Sequence, residues 1–232
     1  MGGTGNMIGQ VRGPWGVPIQ IDGSILFLLG FLLYMSLGGS LIDGAIFAAI
    51  LLSAITLHEL GHAWATQVHG LPVRRIVLHG GGGFCERGGS ASRAQDRFIV
   101  AMGPLTNLAL WAIAGVLGWA LPHLFVALGL PVGRLFFEIA WAITLFGWVN
   151  LFFFAFNMMP VQPLDGGKLF HHAMLAVLPP RAAQRVTGGV GFALSILWIP
   201  AFLWLYLTWG FILFFMPNPK LHWRMMKGDL AF

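Results

Sequence analysis

Two histidines four residues apart carry the clearest chemistry in this sequence. They enclose a glutamate in His58-Glu59-Leu60-Gly61-His62, within an apolar stretch from about Ala45 to Val68. On a helix, residues four apart share a face, so both imidazoles can bind one Zn²⁺ at about 2.0–2.1 Å. Glu59 then lies beside the metal, where its carboxylate can take a proton from a bound water. Ionisable groups at membrane depth are costly, which indicates a function, although histidines hydrogen-bonded in a helix bundle would give the same pattern.

The composition is that of a membrane protein. Of the 232 residues, 57% are hydrophobic and 9% are charged, and the mean hydropathy is +0.79. Long, weakly charged apolar runs predict transmembrane helices. The net charge of +5 is typical of loops held on the cytoplasmic side, so we do not interpret it as nucleic-acid binding. The single cysteine, Cys85, excludes an internal disulfide framework.

We expect an all-α polytopic membrane protein with about six transmembrane helices and a small membrane-associated β-hairpin or sheet. The spans are expected at about 24–37, 45–68, 98–120, 135–156, 187–199 and 201–216, with an apolar loop at 121–133 and a short helix at 168–178. Pro200 is expected to divide the last apolar stretch. We expect one domain over 1–232: an N-terminal strand or tail (1–23), a membrane core (24–216) and a cytoplasmic tail (217–232). The N-terminal part has no features of a signal peptide.

Basic residues predict the orientation of these spans. They follow span two, span four and the last apolar stretch: Arg74, Arg75, Arg87, Arg93 and Arg97; Lys168, Arg181 and Arg185; Lys220, Arg224 and Lys227. The positive-inside rule places all three regions in the cytoplasm, so an even number of crossings must separate Arg185 from Lys220. We therefore expect a multi-pass protein of a prokaryotic inner membrane, with both termini cytoplasmic.

The segment between spans two and three is not helical. Residues 73–78 and 84–89 favour two short strands around the glycine turn 80–83. Such backbone survives at membrane depth only where it is buried in protein or lines a wet cavity. A sheet edge beside a metal site can hold an extended peptide by strand addition, which makes Gly81 and Gly82 candidate substrate-binding residues. A plain cytoplasmic hairpin is the alternative.

A catalytic zinc site usually has three protein ligands and one open position, so a third ligand is needed. Asp165 is the best candidate, because it lies in Pro- and Gly-rich backbone at the cytoplasmic end of span four. Its alternative role is to cap the following helix. Weaker candidates are Glu86, Glu138, His69, His79, His171 and His172, of which the last two are expected to face solvent or lipid headgroups. Cys85 is more typical of a small buried hydrophobe than of a ligand.

Two asparagines complete the candidate site. Asn107 and Asn157 lie near the metal-bearing ends of spans three and four. Their amides could donate hydrogen bonds to a substrate carbonyl or its oxyanion, or could instead cap or join helices. Both are candidate substrate-binding residues; we favour that role for Asn157 and a structural role for Asn107.

These motifs together resemble the site-2 protease family of intramembrane zinc metalloproteases, peptidase family M50. The resemblance rests on His58 to His62, on Leu164-Asp165-Gly166-Gly167 preceded by Asn157, Pro160 and Pro163, on Gly103-Pro104 with Asn107, on the glycine-rich hairpin and on Gly16 to Ile19. It implies that His58, His62 and Asp165 bind zinc, that Glu59 is the catalytic acid/base and that Asn157 helps to position the substrate. The sequence differs in lacking the PDZ or CBS domains of many members, and in having His79-Gly80-Gly81-Gly82-Gly83 where many have a Pro-x-Gly-Gly turn.

The expected function is that of an intramembrane zinc endopeptidase that cuts a transmembrane protein or peptide near the cytoplasmic face. The expected surroundings are membrane lipids, with no nucleic acid; a homo-oligomer is left open. One alternative is a non-catalytic membrane metal-binding protein or scaffold, which would have no use for Glu59. Another is a hydrolase for lipid-linked or prenylated peptides, which would need a larger chamber than 232 residues readily provide.

Overall fold

In the computed structural model, the described residues are 6–37, 39–209 and 215–229. They form helices α1 (Ile25–Met35), α2 (Leu41–Val68), α3 (Arg93–Ala127), α4 (Arg134–Asn157), α5 (Asp165–Val177), α6 (Pro180–Trp209) and α7 (Pro219–Lys227). The strands are β1 (Met7–Arg12), β2 (Pro18–Asp22), β3 (Val73–His79) and β4 (Gly82–Arg87). Two compact units result: Met1–Ser90 with Met102–Ala155, and Ala91–Ala101 with Phe156–Phe232.

Four helices among the described residues, α2, α3, α4 and α6, are long and apolar enough to cross a membrane. At most a third of the residues in the most apolar stretch of each helix is buried inside the protein, which leaves surface for contact with lipid. The chain is therefore an integral membrane protein with a mostly helical fold. The six spans that we expected are not confirmed. Helix α1 has 11 residues, about 16 Å, which is short of a hydrocarbon core of about 30 Å.

Three prolines lie inside helices α3 and α6 without ending them. Helix α6 continues through Pro200, so the expected division of the last apolar stretch at this residue is wrong. Helix α3 likewise continues through Pro104 and Pro122, and the loop that we expected from residue 121 begins only after Ala127. Proline is tolerated inside membrane helices because neighbouring groups satisfy the carbonyls that it leaves without a donor.

The β-strands form one mixed sheet in the order β1-β2-β3-β4. β1 and β2 are antiparallel, β2 and β3 are parallel, and β3 and β4 are antiparallel. The predicted hairpin of residues 73–89 is confirmed, but it is half of a larger sheet whose first strand the sequence did not reveal. Among the described residues, β1 and β4 are the two edges, so β4 has a strand partner on one side only.

The core of the first unit lies between α2 and the sheet. Ile76 and Leu78 alternate with more exposed neighbours on β3 and are 0% and 7% exposed. They pack with Ile55 and Ala63 of α2 and with Ile19 of β2. This apolar layer ties the sheet to the helix that carries the histidine pair.

In the second unit, the C-terminal helix lies beside the beginning of α6. A Cβ atom added at Gly188 of α6 would lie 2.7 Å from the Cβ of Met225 of α7, and Trp198 Nε1 donates a hydrogen bond of 3.1 Å to the carbonyl oxygen of Phe215. The expected sixth helix, 201–216, falls partly outside the described residues; its described part either belongs to α6 or has no regular structure. The chain thus returns along α6.

Candidate active site

The two histidines on α2 present their Nε2 atoms to each other. His58 and His62 are 5% and 9% exposed, and their Nε2 atoms are 3.2 Å apart. Two nitrogens at 2.0–2.1 Å from one tetrahedral zinc ion are separated by about 3.3 Å. The pair therefore has the spacing of two ligands to one ion.

Two buried amides fix the orientation of His58. Nδ2 of Asn107 donates to the carbonyl oxygen of Ala54 at 3.3 Å and to Oδ1 of Asn150 at 2.8 Å. With both amide protons used, Oδ1 of Asn107 must accept the 2.6 Å hydrogen bond from Nδ1–H of His58. This tautomer leaves the Nε2 lone pair of His58 available for a metal, as in metal sites where a second contact orients each histidine.

Asn150 was not identified from the sequence. Asn107 and Asn150 are both 0% exposed, and this burial favours the structural interpretation of Asn107 over substrate contact. The signal for Asn150 was an amide in the middle of an apolar span, which typically hydrogen-bonds across helices.

Glycines bring α3 against the histidines. A Cβ at Gly61 would lie 2.6 Å from the carbonyl oxygen of Met102, and one at Gly103 would meet the ring of His62 and lie 2.7 Å from Nε2 of His58. Backbone and imidazoles could not approach this closely if either residue had a side chain. The Gly-Pro motif of α3 therefore forms one wall of the candidate metal site.

Glu59 lies against the edge strand. It is 5% exposed, and a Cβ at Gly83 of β4 would lie 2.9 Å from its Cγ and 3.2 Å from its Oε1. Of the glycines predicted to bind substrate, Gly81 lies in the hairpin turn, where its amide donates to Nδ1 of His79, and Gly82 begins β4 with φ +131°. Gly83, the second residue of β4, is the glycine that comes close to the carboxylate, and the sequence did not distinguish it.

Cys85, also on β4, is a half-buried thiol. Burial, and secondarily the negative charge of Glu59, raise its pKa to about 12. A metal ligand must be the thiolate, whose formation burial opposes here, and Cys85 is not part of the cluster of possible metal ligands formed by His58, His62 and Asp165. This agrees with the expectation that Cys85 acts as a small hydrophobe.

Asp165 is the first residue of α5 in the second unit. It is 5% exposed, and Nζ of Lys168 lies 3.2 Å from its Oδ1. The residue before it, Leu164, is the N-cap, so the alternative role of Asp165 as the cap does not hold. Two imidazoles and this buried carboxylate are a donor set that fits zinc.

Four of the weaker ligand candidates have other partners: Glu86, Glu138, His171 and His172. Glu86 is paired with Arg75 and Arg74, whose hydrogen bonds and charges lower its pKa, and Glu138 is paired with Arg134. His171 and His172 were expected to face solvent or lipid headgroups, but both are half-buried and contact other side chains. Nδ1 of His171 lies 3.3 Å from Oγ1 of Thr187, and Nε2 of His172 lies 2.7 Å from Oδ2 of Asp96. Asn157 is the last residue of α4 and is half-buried.

The amide pair makes a first prediction. Asn107→Ala should weaken zinc affinity by about 10–100-fold, because Nδ1–H of His58 loses its acceptor. Asn107→Asp keeps an acceptor at that position and should retain most of the affinity. Competition with a chelating dye measures both variants; equal losses for alanine and aspartate would show that Asn107 acts through packing instead.

Comparisons with known proteins give the family. The family model of peptidase family M50 matches residues 46–198, and the chain belongs to this family. Rip3 of Mycobacterium tuberculosis is 34% identical over 151 residues, which are 65% of this chain and 35% of that protein. Zinc metalloprotease MJ0392 of Methanocaldococcus jannaschii is 22% identical over 182 residues, which are 78% of this chain and 50% of that protein.

The fold is also that of a solved structure. The site-2 protease from Methanocaldococcus jannaschii aligns with a TM-score of 0.57 and 18% identity, covering 94% of this chain and 92% of that chain. At this identity the likeness shows the fold alone. The chain spans about a third to a half of the length of the curated relatives named above.

Proposed function

We propose that this protein is an intramembrane zinc endopeptidase that hydrolyses peptide bonds in transmembrane segments of other proteins. The observation that carries the proposal is a buried glutamate next to two converging histidines, with Gly83 of the edge strand β4 directly beside it. Membership of peptidase family M50 supports the reaction class. The apolar helices support a membrane setting, which we take to be a prokaryotic inner membrane.

The zinc ligands in this proposal are His58, His62 and Asp165. When bound, zinc supplies a Lewis acid that lowers the pKa of a ligated water to about 7 and polarises a carbonyl. The side chains around it orient the donors: Asn107 holds the ring of His58, and Gly103 gives both rings room. Burial of all three ligands excludes bulk water from the donors.

Glu59 is proposed as the catalytic acid/base. It takes a proton from the attacking water and then passes it to the leaving amide nitrogen. Its position one residue after His58 puts its side chain beside the metal-binding face of α2. Asn157 is proposed to donate a hydrogen bond to the substrate backbone, as the resemblance implied.

The substrate is proposed to bind as an added strand. A transmembrane helix hides its carbonyls in its own hydrogen bonds, so it must unwind before hydrolysis. An unwound segment can then pair with the free edge of β4, where Gly83 brings the strand to Glu59. Gly81 and Gly82 would let the turn adapt to the incoming chain.

Cleavage of a transmembrane reporter by the purified protein tests the function. We expect cleavage in detergent or liposomes that stops when a chelator removes zinc and returns when zinc is added back. A non-catalytic metal-binding protein or scaffold would bind the metal under the same conditions and cleave nothing. A hydrolase for prenylated peptides would cleave those and leave the reporter intact.

The arrangement of α6 and α7 makes a topology prediction. A Cβ added at Gly228, at the end of α7, would lie 3.6 Å from Nε of Arg185 in α6. The basic residues of both regions should therefore share the cytoplasmic side. Reporter fusions at Arg93, Arg181 and Gly228 should report a cytoplasmic location, and one at Gly129 an external location. An external signal at Gly228 alone would contradict the return of the chain along α6.

A further inference from the structure

We propose that His222 of α7 is a positioning residue for Asp165, acting through the backbone of the loop that precedes that aspartate. The inference rests on the proposed role of Asp165 as a zinc ligand. It gives the C-terminal helix a part in the metal site, to which no motif in the sequence pointed.

Helix α7 has one buried and one exposed side. His222 and Met225 are 0% and 1% exposed, whereas Lys220, Arg224 and Lys227 are exposed. The side chain of Asn218 accepts from the amide of Leu221 at the N-terminus, and Gly228 ends the helix in a left-handed conformation. Both ends are therefore fixed, and the helix presents one imidazole to the protein interior.

A glycine in α6 makes room for that imidazole. A Cβ at Gly191 would overlap the ring of His222 and would lie 2.9 Å from its Cγ. Gly188, one turn earlier, allows the same close approach to Met225. The imidazole is thus seated against the backbone of α6 and has little freedom to move.

One ring nitrogen of His222 reaches the loop before α5. Nε2 lies 3.3 Å from the carbonyl oxygen of Gln162, so Nε2–H donates to it. Nδ1 is buried and has no hydrogen-bond partner among the described residues. Burial also lowers the pKa of this histidine, which favours the neutral ring. The bond to Gln162 is therefore the polar contact that defines the orientation of the ring.

The loop that Gln162 belongs to supports the first turn of α5. A Cβ at Gly166 would lie 2.6 Å from the carbonyl oxygen of Met159, and one at Gly167 would lie 2.6 Å from the carbonyl carbon of Val161. The amide of Leu164 also donates to the carbonyl oxygen of Val161 at 2.9 Å. Because the backbone of this loop and the Asp165 turn are in direct contact, a shift at Gln162 moves Asp165.

The contacts form one chain from α6 to the ligand. Gly191 seats His222, His222 holds the carbonyl of Gln162, and the loop supports the turn that begins with Asp165. This arrangement explains why two glycines follow Asp165, since a side chain at either position would push the first turn of α5 away from the loop.

Three variants of this chain test the inference. His222→Gln places an amide donor near the position of Nε2, His222→Leu fills the space without a donor, and Arg224→Gln changes an exposed residue of the same helix. Zinc retention against a competing chelator and the visible absorption spectrum of the Co²⁺-substituted protein report on the ligands without an activity assay. Thermal unfolding in detergent shows whether each variant is folded.

We expect His222→Leu to weaken zinc retention by about 10–100-fold and to change the Co²⁺ spectrum, as loss of an outer partner of a ligand does elsewhere. His222→Gln should restore most of the affinity, and Arg224→Gln should match the wild type. Wild-type zinc retention and spectrum in folded His222→Leu would overturn the inference, as would equal losses in the leucine and glutamine variants. If Asp165→Ala itself keeps zinc, the proposed metal site fails, which is a separate outcome.

Discussion

Glu59→Gln is expected to leave zinc bound and to lower the rate of peptide hydrolysis by about 10²–10⁴-fold, the usual contribution of a general acid/base. Glutamine has nearly the same shape as glutamate but cannot take up the proton of the attacking water. Its amide can still occupy the space beside Gly83. Zinc content and cleavage rate, measured on the same preparation, test whether Glu59 is needed for proton transfer and not for metal binding.

The matched control is a change of a ligand. Asp165→Ala should lose most of the zinc and the activity together, because two imidazoles alone bind the ion weakly. Full zinc occupancy in that variant would remove Asp165 from the ligand set. Loss of zinc in Glu59→Gln would instead indicate that Glu59 is a zinc ligand. The role of proton acceptor would then be unassigned.

Prolines in the edge strand β4 should abolish cleavage without releasing zinc. Successive residues of a strand direct their backbone N–H groups to opposite sides, so of two neighbours one faces β3 and the other faces the free edge. Proline at Phe84 and proline at Cys85 therefore test both sides in turn. One of the two prolines removes a backbone N–H group that points to the free edge, and that proline should stop cleavage. Proline has no N–H group to donate to a substrate strand.

Threonine at the same two positions keeps the backbone donor and should have a much smaller effect. Gln10→Pro, in the opposite edge strand β1, is a matched control that lies three strands from β4. A proline at Val77 is unsuitable, because β3 has a neighbour on each side and would lose pairing within the sheet itself. Equal losses from proline and threonine would indicate packing, and normal cleavage with both prolines would show that β4 does not hold the substrate.

The sequence predicted those parts of the protein in which chemistry and local pattern agree. His58, Glu59 and His62 are recognisable because two histidines share one helix face within an apolar run and a glutamate lies directly beside that face. The hairpin is recognisable because glycines separate two strand-like segments. In both cases the signal lies within a few residues and needs no knowledge of the partners that pack against it.

The parts that the sequence did not predict depend on contacts between distant segments. Pro200 looked like a helix end, yet α6 continues because a proline inside an apolar environment can be accommodated by its neighbours. β1 has no alternating pattern, since nearly all of its residues are exposed, and only its pairing with β2 makes it a strand. The roles of Asn150 and His222 can be assigned only once their partners, Asn107 and Gln162, are known.

The central claim is that this protein cuts peptide bonds inside a membrane segment with zinc and Glu59. The most direct measurement is to identify by mass spectrometry the products formed from a transmembrane reporter in liposomes by the wild type and by Glu59→Gln. We predict a cleavage site within the apolar segment, near its cytoplasmic end, that is formed by the zinc-loaded wild type and is absent with Glu59→Gln. The same products from Glu59→Gln, or cleavage confined to the soluble flanks of the reporter, would contradict this account.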